Sequence, residues 1–203
     1  MADNILSLNE LGDLFYDLTV LMIGGSTPAD VRRAWATQGA PAFDINDNVV
    51  FYKITDVEST MTALREDLYS QIGSPEDGNM QLGYTRTLQV DWIFYGASSW
   101  DYATLVRNGL YFESNRELLK LNNIYPVPQF APPRRIPELF QGLWYERMDL
   151  SAKFNELVTL DRTVHYIKIV PLVVSNGEGV QSESEVTEDS IIVDGVERII
   201  VNR

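Results

Sequence analysis

Leu82-Gly-Tyr-Thr-Arg-Thr-Leu-Gln-Val-Asp-Trp-Ile-Phe-Tyr95 is the stretch on which the fold turns. Leu82, Tyr84, Leu88, Val90, Trp92 and Phe94 fall on one face, and Thr85, Thr87, Gln89 and Asp91 on the other. This period of two belongs to a half-buried strand. Gly96-Ala-Ser-Ser99 ends it, and Ser98 with Asp101 resembles a capping arrangement that opens a helix from about Ser99 to Tyr111. From Gln81 to Asn176 the chain reads strand, helix, short helix, proline-rich crossing, long strand and strand, with almost nothing able to do chemistry. Such a scaffold holds a shape and presents surfaces.

Working outward, Ser114-Asn-Arg-Glu117 reads as a capping box for a short helix through Leu121, closed by Asn122-Asn123. Pro126, Pro128, Pro132, Pro133 and Pro137 keep Ile124 to Pro137 extended and bar it from a central strand. Arg147 to Asn155 alternates with Met148, Leu150, Ala152 and Phe154 inward, and Thr163 to Val174 is a further strand. Towards the N-terminus, Ser7-Leu-Asn-Glu10 is a capping box. Leu11, Leu14, Phe15, Leu18, Leu21 and Met22 follow it at helical spacing, and Gly24-Gly25 stops the helix. Thr27-Pro-Ala-Asp30 predicts a second helix carrying Arg32, Arg33 and Trp35, broken at Gln38-Gly-Ala-Pro41. Val49 to Asp56 is a strand; Ser59 to Gln71 is either a helix or an extended arm with a polar tip at Gly73 to Gly78.

From Ser175 the character shifts. An acidic linker through Glu188-Asp189 precedes Ile191 to Val201, two β runs joined by Asp194-Gly195, which is a strong hairpin signal. A lone hairpin is marginal in water, so this one is expected to dock on its own core or on the sheet edge of a neighbour. The predicted class is α+β: a largely antiparallel sheet with helices on one face, N-terminal helices and a C-terminal hairpin. The expected divisions are a helical segment over 1–48, a core over 49–175, and a linker with a hairpin arm over 176–203.

The 203 residues carry 16 Lys and Arg against 29 Asp and Glu, a formal net charge of −13. That balance argues against gripping nucleic acid through its phosphates and against an anionic membrane surface. With no cysteine there is no disulfide, thiolate metal site or Cys nucleophile. The N-terminus lacks the basic region of a signal peptide and no apolar run is long enough for a membrane helix, so a soluble protein made in the cytoplasm is expected.

The candidates for chemistry have simpler readings. His165, the sole histidine, lies between Val164 and Tyr166 in a strand without a partner nucleophile. Asp44, Asn46 and Asp47 look like a calcium loop but lack its glycine and terminal glutamate, so a solvated turn is expected. Glu183, Glu185, Glu188 and Asp189 form a charge run without the burial that tunes a catalytic carboxylate. Gly24-Gly25 and Gly177-Glu-Gly179 match no phosphate-binding fingerprint. No catalytic, cofactor or metal site is expected. Arg134-Arg135 is the tight basic pair of the crossing, open to an acidic neighbour. Trp100, Trp144 and Tyr145, at element ends, are either lids on the core or anchors at an interface.

Thr85 to Gly96 followed by Ser98 to Asn108 resembles the phage neck or tail terminator proteins. The family pattern continues through Leu118-Leu-Lys-Leu-Asn-Asn-Ile124, a proline-rich crossing, Ile136-Pro-Glu-Leu-Phe-Gln-Gly-Leu-Trp-Tyr-Glu-Arg147 and the strand Met148 to Asn155, so the resemblance spans roughly residues 49–175. It implies a non-enzymatic virion protein of the neck or tail, with no cofactor. The implied assembly is a ring, usually a hexamer, that caps the head-proximal end of the tail tube. Its implied partners are further copies of itself, the tube protein, a head-completion or stopper protein, and sheath protein where the tail contracts. DNA would pass through the lumen without specific binding, and an acidic lumen would repel it. Trp100, Arg134, Arg135, Trp144, Ile191, Val193, Asp194, Gly195, Ile199 and Val201 are the expected interface residues. The alternatives are another neck, stopper or baseplate component, a peptide-binding module, or a small enzyme with a cryptic carboxylate site.

Overall fold

The strand at the centre of the sequence is also at the centre of the sheet. In the computed structural model, which describes residues 3–24, 30–35, 42–71, 77–165, 170–175, 181–186, 191–194 and 196–199, four helices and thirteen strands follow one another. In chain order they are α1 (Leu8–Ile23), β1 (Asp30–Arg33), β2 (Val49–Asp56), α2 (Thr60–Ala63), β3 (Glu66–Gln71), β4 (Asp77–Tyr95), α3 (Ser99–Gly109) and α4 (Glu113–Lys120). Then come β5 (Ile124–Pro126), β6 (Arg134–Arg135), β7 (Glu138–Phe140), β8 (Leu143–Tyr145) and β9 (Arg147–His165). The last four are β10 (Val170–Ser175), β11 (Gln181–Val186), β12 (Ile191–Asp194) and β13 (Val196–Ile199). The main sheet runs β1-β2-β4-β9-β5, with β3 added to β4 and β6 to β9. β2 lies antiparallel to β4, and β5 and β6 antiparallel to β9, whereas β1 and β2 are parallel. The fold is α+β.

The chain divides into two compact units, Met1–Asp67 with Leu82–Leu160, and Leu68–Gln81 with Asp161–Arg203. The first holds the core. Alternation puts Val50 and Tyr52 of β2, Leu88, Val90, Trp92 and Phe94 of β4, and Met148, Leu150, Ala152 and Phe154 of β9 on one face, all buried. Leu11, Phe15, Leu18 and Met22 of α1 and Ala103 and Val106 of α3 cover that face. Phe15 meets Phe154 edge-on at 4.9 Å, a geometry that suits the ring quadrupoles. Trp92 carries a polar N–H into this apolar layer. Thr19 accepts it at 2.9 Å, and its own hydroxyl donates to the Phe15 carbonyl at 2.6 Å. Left unpaired, that indole N–H would cost about 1–3 kcal/mol.

α1 has the full capping box: the Ser7 hydroxyl accepts from the Glu10 N–H, and the Glu10 carboxylate accepts from the Ser7 N–H. It ends at Gly24, left-handed at φ 77°. Leu21, placed on the same periodic face in the sequence, is exposed.

Four local expectations are corrected. Asp30–Arg33, expected inside a second helix, is a strand. Pairing with Val49–Tyr52 and packing of Val31 on the core outweigh its helical composition. α4 begins at Glu113 with Phe112 as its cap rather than at a Ser114 box, because Asn115 and Arg116 donate their side chains back to the Gly109 and Leu110 carbonyls. Ser98 does stand at the cap of α3 but makes no side-chain cap bond. Its N–H is held instead by Asn48 Oδ1 at 3.0 Å. Finally, the acidic linker contains a strand: β11 pairs with β10 from Val170↔Val186 to Ser175↔Gln181.

The segment Ser59–Gln71 resolves into the four-residue α2 and then the six-residue β3, so each of the two expected forms occurs in part of it; most of its polar tip lies outside the described residues. β9 runs unbroken to His165, making Thr163 its continuation and not the start of a new strand. In the second unit, Asn79 and Gln81 donate side-chain amides to Asp161 Oδ1 at 3.3 and 3.0 Å. β12 and β13 form the expected antiparallel hairpin, Ile191↔Ile199 to Asp194↔Val196.

Candidate docking surface

The face of the sheet opposite the helices is aromatic at one end. Where Val50 and Tyr52 point into the core, Phe51 points the other way, and so do Ile93 and Tyr95, since Phe51 stands opposite Ile93 and Val49 opposite Tyr95. Phe51 and Tyr95 are therefore diagonal neighbours, with ring centroids 6.0 Å apart. Phe43, just before β2, closes on both, at 5.7 and 5.2 Å.

The β7–β8 hairpin completes this group. Gln141 and Gly142 have φ of 49° and 81°, the paired positive angles of a two-residue turn whose twist matches the flanking strands. The register Glu138↔Tyr145, Leu139↔Trp144, Phe140↔Leu143 sorts the side chains onto two faces. Glu138, Phe140 and Tyr145 look into the aromatic group, with Tyr145 6.0 Å from Phe43 and Phe140 6.3 Å from Tyr145. Together with Ala42, Phe43, Phe51 and Tyr95 they line a cavity of about 410 Å³. Leu139 and Trp144 share the other face and are 56 and 65% exposed, while Phe140 and Leu143 are 55 and 53% exposed at the tip. A two-stranded hairpin that shows four large apolar side chains to water marks an interaction surface better than a fold element.

A polar network ties the hairpin to the sheet. The Tyr95 hydroxyl donates to Glu138 Oε2 at 2.7 Å, and Arg147 Nη1 donates to the same oxygen at 3.1 Å. Arg147 also forks onto Asp149 through Nε and Nη2 at 2.7 and 2.8 Å. Burial, and then the bond to Glu138, push the Tyr95 hydroxyl up to about 12. It stays a donor throughout the physiological range. The Tyr95 bond, followed by Arg147, holds the Glu138 carboxyl below its usual range, and the Asp149 bond raises Arg147. Beside this network Arg135 is paired in bidentate fashion with Glu146, at 2.6 and 2.8 Å.

The expected interface residues separate. Arg134, Arg135 and Trp144 fall within the same stretch as the hairpin; Arg134 and Trp144 are exposed, and Arg135 pairs with Glu146 of its own chain. Trp100 is exposed on the first turn of α3 and does not line the cavity. The exposure of Trp100 and Trp144 goes against a role as core lids. Ile191, Val193, Asp194 and Ile199 are in the β12–β13 hairpin, while Gly195 and Val201 lie outside the described residues. Phe43, Phe51, Tyr95, Glu138 and Phe140 were not singled out from the sequence. The usable signal was Gln141-Gly142 between two short apolar runs.

The segment that looks like a calcium loop is the turn expected from the sequence. Asp44, Asn46 and Asp47 form a turn closed on itself: Asp44 Oδ1 accepts from the Asn46 N–H at 3.1 Å, and Asp47 Oδ2 from the Asp44 N–H at 2.7 Å. Among the described residues, no group of three or more His, Cys, Asp or Glu is placed to hold a metal ion. The backbone of His165 ends β9, and its side chain lies outside what is described. No described helix is long and apolar enough to cross a membrane.

The chain's sequence matches a family described as phage neck terminator protein over residues 9–178. No curated protein matches it.

Proposed function

Since the chain belongs to the phage neck terminator proteins, a structural family of the virion neck, we propose that it works there as the ring that closes the tail. In this reading several copies, six by the family resemblance, repeat one heterologous contact until it closes on itself. The ring caps the head-proximal end of the tail tube, stops its growth, and offers its other side to the stopper or connector of the head. Sheath protein is a further neighbour in a contractile tail.

The observation that carries this reading is the β7–β8 hairpin, whose Leu139, Phe140, Leu143 and Trp144 are all more than half exposed to water. Such residues supply the buried centre of protein interfaces. The β12–β13 hairpin is a second arm for the same purpose, reaching a sheet edge of an adjacent subunit or neck protein by strand addition. A net charge of −13 per copy, multiplied around the ring, favours a lumen that DNA crosses without sticking.

Electron microscopy of the purified protein, with and without tail tubes, tests the reading. The expected result is a closed ring seated on one end of each tube, and tubes of bounded length. Tubes that lengthen freely in its presence, or protein bound along their sides, would overturn it.

A further inference from the structure

The cavity under the β7–β8 hairpin has a composition that selects its occupant. Among the described residues that line it, five of seven are aromatic, one is Ala42, and Glu138 is the one that is charged. The rings do not stack. Phe43 is inclined 55° to Phe51 and 47° to Tyr95, and Tyr95 stands at 86° to both Phe51 and Tyr145. They pack edge to face against one another, 5.2 to 6.5 Å between centroids, where they line this aromatic box, and the Arg147 guanidinium already stands 6.0 Å from the Tyr95 ring centroid. Ring faces in such a box attract a cation, most strongly when its hydration shell has been stripped away.

Glu138 adds a full negative charge. Its Oε2 accepts from Tyr95 and Arg147, and no described residue donates to its Oε1. Arg147 does not cancel the site, because it is shared between two carboxylates, Glu138 and Asp149, and the three together carry one net negative charge. A neutral apolar group would fill the volume but strip water from Glu138 without replacing its hydrogen bonds. An anion would be repelled. An apolar shaft ending in a cation satisfies both the rings and the carboxylate, and a volume of about 410 Å³ accommodates one long side chain with the backbone that bears it.

We propose that the box formed by Phe43, Phe51, Tyr95, Phe140 and Tyr145, with Glu138 at its polar side, receives a lysine or arginine side chain from an extended segment of a partner protein. The inference deepens the docking reading above and rests on it: a subunit this acidic, with an exposed hairpin roofing an aromatic box, recruits a basic segment to that end of the molecule. Charge gives the encounter its speed, and the box gives it specificity.

The test uses the full chain in solution, titrated with n-butylguanidinium and n-butylammonium and, as the neutral isostere of the latter, 1-butanol. The readout is the ring ¹H–¹³C shifts of Tyr95 and Tyr145. Saturable shifts with at least one cation are expected, with the alcohol bound about tenfold more weakly; Phe43→Leu and Glu138→Gln should each weaken cation binding by about tenfold. Phe43→Leu keeps the Tyr95–Glu138–Arg147 network, so it decides the matter if Glu138→Gln disturbs the fold. Equal binding of the alcohol, ring signals unmoved by either cation, or an unchanged titration in folded Phe43→Leu would each overturn the proposal. Rings seen by microscopy beside a failed cation titration would sink this proposal alone, and cation binding without rings would sink the ring alone.

Discussion

The least expected residues in the core are Arg86 and Glu156. Both occupy inward positions of their strands, Arg86 between Tyr84 and Leu88 and Glu156 between Phe154 and Val158. Glu156 is 1% exposed. Arg86 Nε donates to Glu156 Oε2 at 2.8 Å, while Glu156 Oε1 accepts the Leu6 N–H at 3.0 Å and Arg86 Nη2 reaches the Leu6 carbonyl at 2.9 Å. The pair thus clamps the segment leading into α1, and Asn4 pairs with Thr159 just beyond it. Removing one member of a buried pair leaves the other charged and unpaired, which costs far more than the pair contributes. Glu156→Ala is therefore expected to lower unfolding free energy by about 3–5 kcal/mol, read by urea denaturation. A loss under 1 kcal/mol would show that water reaches Arg86 freely. The sequence hid this clamp for a physical reason. Apolar alternation identifies a buried face only while every inward residue is apolar, so the strand was expected to stop at Asn155, one residue before the glutamate. Two opposite charges at apolar positions of two strands were the available clue, but their pairing depends on a register that local pattern does not contain.

Elements set by their own chemistry were legible, and elements set by a distant partner were not. α1 carries its capping box, its apolar stripe and its terminating glycine, and its span is as expected. The alternation of β4 and β9 likewise holds at Leu88, Val90, Trp92 and Phe94, and at Met148, Leu150, Ala152 and Phe154. β1 failed because Asp30–Arg33 becomes a strand only through its parallel neighbour and through Arg33, which reaches Asn9 Oδ1 and the Asn9 carbonyl on α1, both at 3.1 Å. β11 failed because a run of serines and glutamates reads as a solvated tether until β10 stands beside it. The β7–β8 hairpin falls between the two cases: its turn is local, while its purpose lies outside the chain. Its outer face predicts a separation of effects. Leu139 and Trp144 are half or more exposed and opposite one another, so Leu139→Ser with Trp144→Ser should change chain stability by no more than about 0.5 kcal/mol. Association should fall sharply, because aromatic and aliphatic anchors carry most of an interface's free energy. Denaturation and sedimentation velocity on the same double variant check both halves. A variant that assembles like the parent would move the docking surface elsewhere.

At the scale of the whole molecule the question is which parts fold for themselves and which for a partner. The first unit contains the helices, the core and the β7–β8 hairpin, and the second contains β10 to β13. An arm over 176–203 invites truncation at its first residue, but the pairing of β10 with β11 changes where the cut belongs. Ending the chain at Ser175 strips β10 of all six of its β11 partners, Gln181 to Val186. The bare edge would then expose unpaired N–H and C=O groups along a strand containing Leu172, Val173 and Val174, which is a template for aggregation. Any loss of assembly in that truncation would therefore be ambiguous. Ending the chain at Val186 keeps the β10–β11 pair and removes only the β12–β13 hairpin and its flanks. If that hairpin adds to the sheet edge of a neighbour, the 1–186 chain should match the parent in its unfolding curve while forming fewer rings, or rings that dissociate at lower salt or higher dilution. If instead the hairpin completes its own subunit, the 1–186 chain should unfold earlier, with assembly weakened in proportion. Full assembly together with parental stability would rule out both roles. Thermal unfolding, set beside ring counts in electron micrographs of the 1–186 and full-length chains, separates the three outcomes, because stability reports on the single chain and ring number on the contact between chains.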